Sequence, residues 1–345
     1  MLARTHLCAA VCLGALALAS CGGSEQPGGG NADTAPRELT QLTIASNPAG
    51  THVYAVAAGL AKVLQEKAGV RTTIRPFSGS SVYLPLLQRG EIALGLNISI
   101  DSYLSYEGLP PYDTPMRNLR LLGMMFPLPI MYMVRADSDI QTVEDLRDKR
   151  VVITFRANAA LNQLHRAILA TGGLDEDDVQ PVTVAGLPEA MRMLTEGRAD
   201  AVPTGLNTAL ALQVNSAISG GIRYITLGSD QAKLAEVMPG AKPETITPGA
   251  NTVGVPAPIQ VAGIVDYLNT GVHLTDDQAY MVIKTIHGNW AELRRDYSQM
   301  SSTPAEAVAP VDNLHPYHPG AVRYYREAGL WTDAHEANQA RLLSE

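Results

Sequence analysis

Five short turns carry the polar residues of this chain that could do chemistry. They are Ser46-Asn47-Pro48-Ala49-Gly50-Thr51-His52-Val53-Tyr54, Phe77-Ser78-Gly79-Ser80-Ser81, Asn97-Ile98-Ser99-Ile100-Asp101, Thr154-Phe155-Arg156-Ala157-Asn158 and Thr204-Gly205-Leu206-Asn207. Each follows an apolar, strand-like run and is rich in small, hydroxyl or amide side chains. Such residues open helices, and the unpaired N–H groups of a helix start recognise polar and anionic groups. The chemistry they support is recognition by hydrogen bonds. The candidate ligand contacts are Asn47, Gly50, Thr51, His52 and Tyr54 in the first turn, then Ser78, Ser80 and Ser81, then Asn97, then Arg156 and Asn158, and finally Thr204 and Asn207. Helix capping is the commoner use of any one of them; five together at strand ends argue a shared site.

Arg156 is the only arginine in these turns. Its guanidinium can hold a carboxylate through two parallel hydrogen bonds, and a solvated or interdomain ion pair is its competing use. His52 is a possible donor at a helix start. Phe77, Phe126 and Phe155 all fall at strand ends, where they wall either a cleft or a core. Other patterns lead nowhere catalytic. His315 and His318 are three apart, but neither lies on a helix and no third ligand accompanies them, so no metal site is expected. Asp175 to Asp178 is an acidic run on a solvated loop. The chain has no Gly-x-Ser-x-Gly elbow, His-Glu-x-x-His or P-loop, and no paired acid and base. Neither a cofactor nor an enzymatic activity is expected.

The elements that must position these turns alternate between strand and helix. Strand-like runs lie at 42–45, 72–75, 92–96, 119–125, 130–134, 150–154, 182–184 and 199–202, with helical stretches at 55–67, 82–88, 158–171 and 188–196. This β/α alternation predicts parallel sheets. Val253 to Val261 is extended but broken by Pro256 and Pro258, and reads as a return path between two domains. Helices follow, the first over 275–290 from the capping box Thr275-Asp276-Asp277-Gln278, then pieces near 305, 320 and 333. Two α/β domains crossed twice by the chain form a hinged cleft, with ligand-binding turns at the carboxyl ends of strands.

The start of the chain bears on where it works. Arg4 precedes an uncharged apolar run from Leu7 to Ala19, too short for a membrane span and suited to a signal core. The run ends in Leu18-Ala19-Ser20-Cys21, similar to a bacterial lipobox, which would make Cys21 the lipidated first residue of the mature chain. Cleavage at the Ala17-Leu18-Ala19 pattern as an ordinary secretory signal is the alternative. Residues 22–38 are a Gly-rich linker. Cys8 and Cys12 would leave with the signal, so the exported domain has no disulfide and relies on its core. A formal net charge of −8 argues against nucleic acid and anionic lipid as partners.

The segments Val134-Arg135-Ala136-Asp137-Ser138 and Val143 to Val151, the run Thr252-Val253-Gly254-Val255-Pro256 and the tail His318-Pro319-Gly320-Ala321-Val322-Arg323-Tyr324-Tyr325-Arg326-Glu327 resemble the TAXI family. These are the solute-binding subunits of one class of tripartite ATP-independent periplasmic (TRAP) transporters. The resemblance implies an α/β, two-lobed type II periplasmic-binding-protein fold. It implies capture of a small organic anion (dicarboxylate, 2-oxo acid or acidic amino acid) and delivery to a sodium-coupled TRAP membrane subunit. The expected organisation is a signal at 1–20, lipidated Cys21 and linker at 21–38, lobe I at 39–128, lobe II at 129–251, and a return hinge with the rest of lobe I at 252–345. The expected state is a periplasmic, lipid-anchored monomer. Two departures are visible: the first turn keeps Gly50 and Thr51 but not the family's glycine-rich run, and Phe155-Arg156-Ala157-Asn158 replaces small residues. A sensor feeding a receptor, a subunit of an ATP-driven (ABC-type) transporter, and an exported enzyme on the same fold are the competing uses.

Overall fold

The computed structural model describes residues 39–249 and 252–344. The expected signal, Cys21 and the linker lie outside them. The described chain begins with two alternating units. The first comprises β1 (Gln41–Ser46), α1 (His52–Ala68), β2 (Arg71–Pro76), α2 (Ser80–Gln88), β3 (Leu94–Ile98) and α3 (Ser99–Glu107). The long strand β4 (Leu119–Arg135) leads into the second: β5 (Arg150–Phe155), α4 (Ala159–Thr171), β6 (Gln180–Val184), α5 (Leu187–Thr195), β7 (Ala201–Gly205) and α6 (Ala209–Ala217). Then come β8 (Ile222–Tyr224), α7 (Ala232–Val237), β9 (Lys242–Ile246) and a second long strand, β10 (Ile259–Gly271). The chain closes with α8 (Asp276–Gly288), α9 (Trp290–Asp296), α10 (Pro319–Glu327) and α11 (Asp333–Ser344).

The strand order is β2-β1-β3-β10-β4-β7-β5-β6, with β8 on β4 and β9 on β10. β1 pairs in parallel with β2 and β3, and β5 in parallel with β6 and β7. Each lobe is thus a parallel βαβαβ unit. β4 and β10 run antiparallel to each other through the middle of the sheet. One end of this pair joins lobe I, through β3 on β10; the other joins lobe II, through β7 on β4. The register of β10 on β4 shifts between Asp266 and Tyr267 and again between Leu268 and Asn269. Such bulges sharpen twist and bend a strand, here where one lobe gives way to the other.

The sequence predicts separate strands at 119–125 and 130–134; the structure joins them across Pro127 and Pro129. Those prolines face Val265 and Gly263 of β10. The return strand is β10, and Val253 to Pro258, read as extended, is a turn-containing approach to it. The predicted 275–290 helix divides into α8 and α9 at Asn289. Asp175 caps a short 3-10 turn, Glu176–Asp178, through its bond from the Asp177 N–H at 2.8 Å, so the acidic run is a structured turn.

Periodicity explains the elements. α1 buries Val53, Val56, Ala57, Leu60, Val63 and Leu64, and ends at Gly69, whose φ of 69° suits glycine. β4 and β10 are buried nearly throughout, as strands covered on both faces must be. The C-terminal helices pack on lobe I: α8 meets α1 and β4, and α10 meets α8 and β4. His315 and His318 are tied into this packing. The His318 Nδ1 caps α10 at the Gly320 N–H (3.1 Å) while its Nε2 donates to the Leu274 carbonyl (3.0 Å). The His315 Nε2 donates to the Asn269 Oδ1 at 2.7 Å. Both act as fully buried structural groups.

Candidate functional site

All five turns meet around one cavity of about 80 Å³ between the lobes. Lobe I contributes Asn47, Thr51 and His52 after β1, Ser78 and Ser80 after β2, and Asn97 and Ile98 at the end of β3. Lobe II contributes Phe155 and Asn158 after β5, and Thr204, Gly205 and Thr208 after β7. The floor comes from β4. Strand alternation turns Leu128 and Ile130 into the cavity, while Pro127 and Pro129 line a separate hollow on the other side.

The remaining candidates have other jobs. Arg156 is exposed and lies outside the cavity lining. It therefore does not occupy the clamp position the sequence suggests, because the turn after β5 directs Phe155 inward and the next side chain outward. Tyr54 is half-buried, one turn into α1, and outside the lining. Gly50 supplies a φ of 88° to the first turn and lies beside Leu210 of lobe II, where an added Cβ would sit 3.1 Å from its Cγ. Asn207 lines the hollow behind the hinge, in left-handed backbone at φ 57°, and its Oδ1 accepts from the Val253 N–H at 3.0 Å. Of the three phenylalanines only Phe155 lines the cavity; Phe126 is buried against His52, and Phe77 packs on Tyr83.

Ser81 and its neighbours tie the lobes together. The Ser81 Oγ, on α2, accepts from the Ala159 N–H at the start of α4, at 3.0 Å. The Asn158 Nδ2 donates to the Ser80 Oγ at 3.4 Å. The His52 ring hydrogen-bonds the backbone of Asn207. Gly79 makes this approach possible: a Cβ there would lie 2.5 Å from the carbonyl carbon of Ala157 and nearer still to its oxygen.

A buried polar network fixes Asn97 from behind. Its Nδ2 donates to the Ser102 Oγ (2.7 Å) and its Oδ1 accepts from the Asn269 Nδ2 (3.0 Å). Two carboxyls lie under the same wall. Asp101 accepts from the Tyr112 hydroxyl, and its other oxygen is buried without a partner. Both oxygens of Asp266, at the β10 bulge, are also buried without partners. Burial pushes the Asp101 carboxyl up to about 6, against the pull of the neighbouring Ser80 and Tyr112 hydroxyls. Burial, and next the neighbouring Asp101, hold Asp266 well above the usual carboxylate range.

Sequence reasoning missed His165 and Leu187. Asn158, Leu161 and His165 all line the cavity at helical spacing, so the face continuing from the Asn158 turn was the available signal. The His165 Nδ1 donates to the Ile153 carbonyl at 2.7 Å. Burial pushes its imidazole down to about 4, against the pull of that bond. Leu187 opens α5 after β6, a sixth strand end whose small turn the polar motifs did not flag. Among the described residues no cluster of three His, Cys, Asp or Glu side chains could hold a metal ion, and no helix is long and apolar enough to cross a membrane.

Two parallel α/β lobes, linked by two long antiparallel strands and closed over a cavity lined by strand ends, define the type II periplasmic-binding-protein fold. The chain shares this fold with a solved structure described as a periplasmic transporter (TM-score 0.54, 10% identity, covering 89% of this chain and 97% of that one). It is also similar to the alkanesulfonate-binding protein SsuA from Xanthomonas axonopodis pv. citri bound to MOPS (TM-score 0.46, 20% identity, covering 89% and 96%). A third similar structure is an ancestral arginine-binding protein bound to glutamine (TM-score 0.46, 16% identity, covering 75% and 97%). The chain belongs to the NMT1-like family, which it matches over residues 44–329.

Proposed function

We propose that this protein is an extracytoplasmic solute-binding protein, not an enzyme, which captures a small molecule between its lobes and presents the closed form to a membrane transporter. The observation that carries this reading is the convergence of the five strand-end turns on one cavity, with direct hydrogen bonds joining the lobes around it. A ligand touching both walls favours the closed form by its differential affinity for that form. The lobes pivot on β4 and β10 near the bulge at Asp266, with lobe boundaries close to 128–129 and 251–252. Lipid on Cys21 tethers the protein to the membrane, and the 22–38 linker gives it reach. The tail and return-segment resemblance favours a TRAP membrane subunit as the recipient. The organic-anion expectation came from the family resemblance, and Arg156, its candidate clamp, lies outside the cavity.

The test is thermal unfolding of the purified protein with dicarboxylates, 2-oxo acids, acidic amino acids, neutral amino acids and small amides. A bound ligand at 100 times its dissociation constant adds about 2.7 kcal/mol of stability. A clear rise in melting midpoint with one class, with a smaller radius of gyration in scattering, supports the reading. No rise with any compound, and no co-purified small molecule by native mass spectrometry, refutes it.

A further inference from the structure

The cavity walls contain no Arg, Lys, Asp or Glu side chain. Their two titratable groups are imidazoles, and both have an N–H committed to the protein. His165 gives its Nδ1 proton to the Ile153 carbonyl, and its ring stands edge-on to Phe155, with centroids 5.3 Å apart. His52 is hydrogen-bonded to the Asn207 backbone, and burial lowers its affinity for a second proton. A neutral imidazole has one N–H and one lone pair. Each ring therefore has a lone pair left over. The third group is Asn47, whose buried Oδ1 has no partner.

At three of the helix starts around the cavity, those of α1, α4 and α6, a backbone donor is already spent on a hydroxyl. The Thr51 Oγ takes the Tyr54 N–H (3.2 Å), the Thr208 Oγ takes the Ala211 N–H (3.0 Å), and the Ser81 Oγ takes the Ala159 N–H (3.0 Å). These are helix-start donors that an anion would otherwise use. The starts of α2, α3 and α5, which also border the cavity, have no side-chain cap, which leaves N–H groups for a ligand carbonyl. A carboxylate would set its oxygens against lone pairs with no cation at hand. An ammonium would be desolvated with no carboxylate in the lining. A molecule with N–H donors and one carbonyl satisfies both sets, since buried polar groups require partners.

Resting on the solute-binding reading above, we propose that the ligand is a small uncharged amide or urea, its N–H groups donated to the free nitrogens of His165 and His52 and to the Asn47 side chain. Size agrees: a cavity of ~150 Å³ takes benzene, and this one, at about 80 Å³, takes a molecule of roughly half that bulk.

The test compares isosteres. Acetamide and acetate have the same shape and differ in charge and donors; ethylamine adds the cation. The purified protein is titrated with each by calorimetry and thermal unfolding at matched ionic strength. The expected result is a rise in melting midpoint with acetamide and none with acetate or ethylamine. In Asn47→Ala the acetamide affinity falls about tenfold, while the unliganded midpoint does not fall, because an unpartnered buried oxygen has been removed. A residue with a purely structural role would lower that midpoint. Acetate or ethylamine stabilising as well as acetamide overturns the ligand class and leaves solute binding standing. Silence from all three also overturns the class, and the wider panel then decides separately whether the cleft binds any solute.

Discussion

Gly79→Ala tests whether lobe closure depends on the contact seen at the cavity rim. Gly79 is in extended backbone, with φ of 175°, so alanine carries no conformational penalty there. The effect is purely one of space. Its Cβ would lie 2.5 Å from the Ala157 carbonyl carbon, whereas carbon atoms rest about 3.5–4.0 Å apart. The lobes must therefore part by about 1 Å at this point. That separation breaks the 3.0 Å Ser81–Ala159 bond and the 3.4 Å Asn158–Ser80 bond. At about 1 kcal/mol each, the closed form loses about 2 kcal/mol, roughly a 30-fold fall in the closed-to-open ratio. A ligand at 100 times the wild-type dissociation constant would then add about 0.9 kcal/mol instead of 2.7. The assay is the ligand-induced midpoint shift, using whichever panel compound moves the wild type most, with the radius of gyration from X-ray scattering. The mutant should stay expanded with ligand and show about a third of the stabilisation. An unchanged shift and an unchanged radius would show that the rim contact does not govern closure.

Three further outcomes follow from the same geometry. Asp101 and Asp266 make folding proton-linked: their folded affinities for a proton exceed the unfolded ones, so their contribution is present at low pH and is lost as pH rises. For Asp101 the window runs from 3.8 to about 6 and spans about 3 kcal/mol; Asp266 acts in the same direction. Asp266→Asn should therefore raise the melting midpoint at pH 7 relative to wild type more than at pH 4, by circular dichroism; an equal shift at both pH values would contradict the linkage. Arg156→Ala should leave both ligand affinity and stability within about 0.5 kcal/mol of wild type, since the side chain is exposed and outside the cavity; a tenfold loss of affinity in calorimetry would restore it to the site. His318→Ala removes a helix cap and a buried bond to Leu274, and should cost about 1–3 kcal/mol in denaturant unfolding; a neutral result would remove its structural role.

Much of this fold was legible because it rests on short-range rules. Apolar runs ending in Ser, Thr, Asn and Gly marked the strand-to-helix turns, and parallel βαβ topology then requires those turns to share one edge of the sheet. Eight of the thirteen candidate residues line the cavity for that reason, namely Asn47, Thr51, His52, Ser78, Ser80, Asn97, Asn158 and Thr204, while Ser81 acts one step back by joining the lobes. What escaped was set by long-range packing. Pro127 and Pro129 look like strand breakers, yet β4 continues through them because antiparallel β10 lies alongside and only alternate residues on a strand must donate to a given neighbour. His165 is two turns inside a helix, where sequence alone cannot separate a core histidine from a cavity wall. Arg156 shows the opposite error. Its charge drew attention, but the direction of a side chain after a strand depends on parity, and Phe155 holds the inward position. Residue type therefore located the site, whereas alternation along β4 and β5 and the helical face of α4 decided its chemistry, turning a cleft expected to clamp an anion into one whose walls carry no charge.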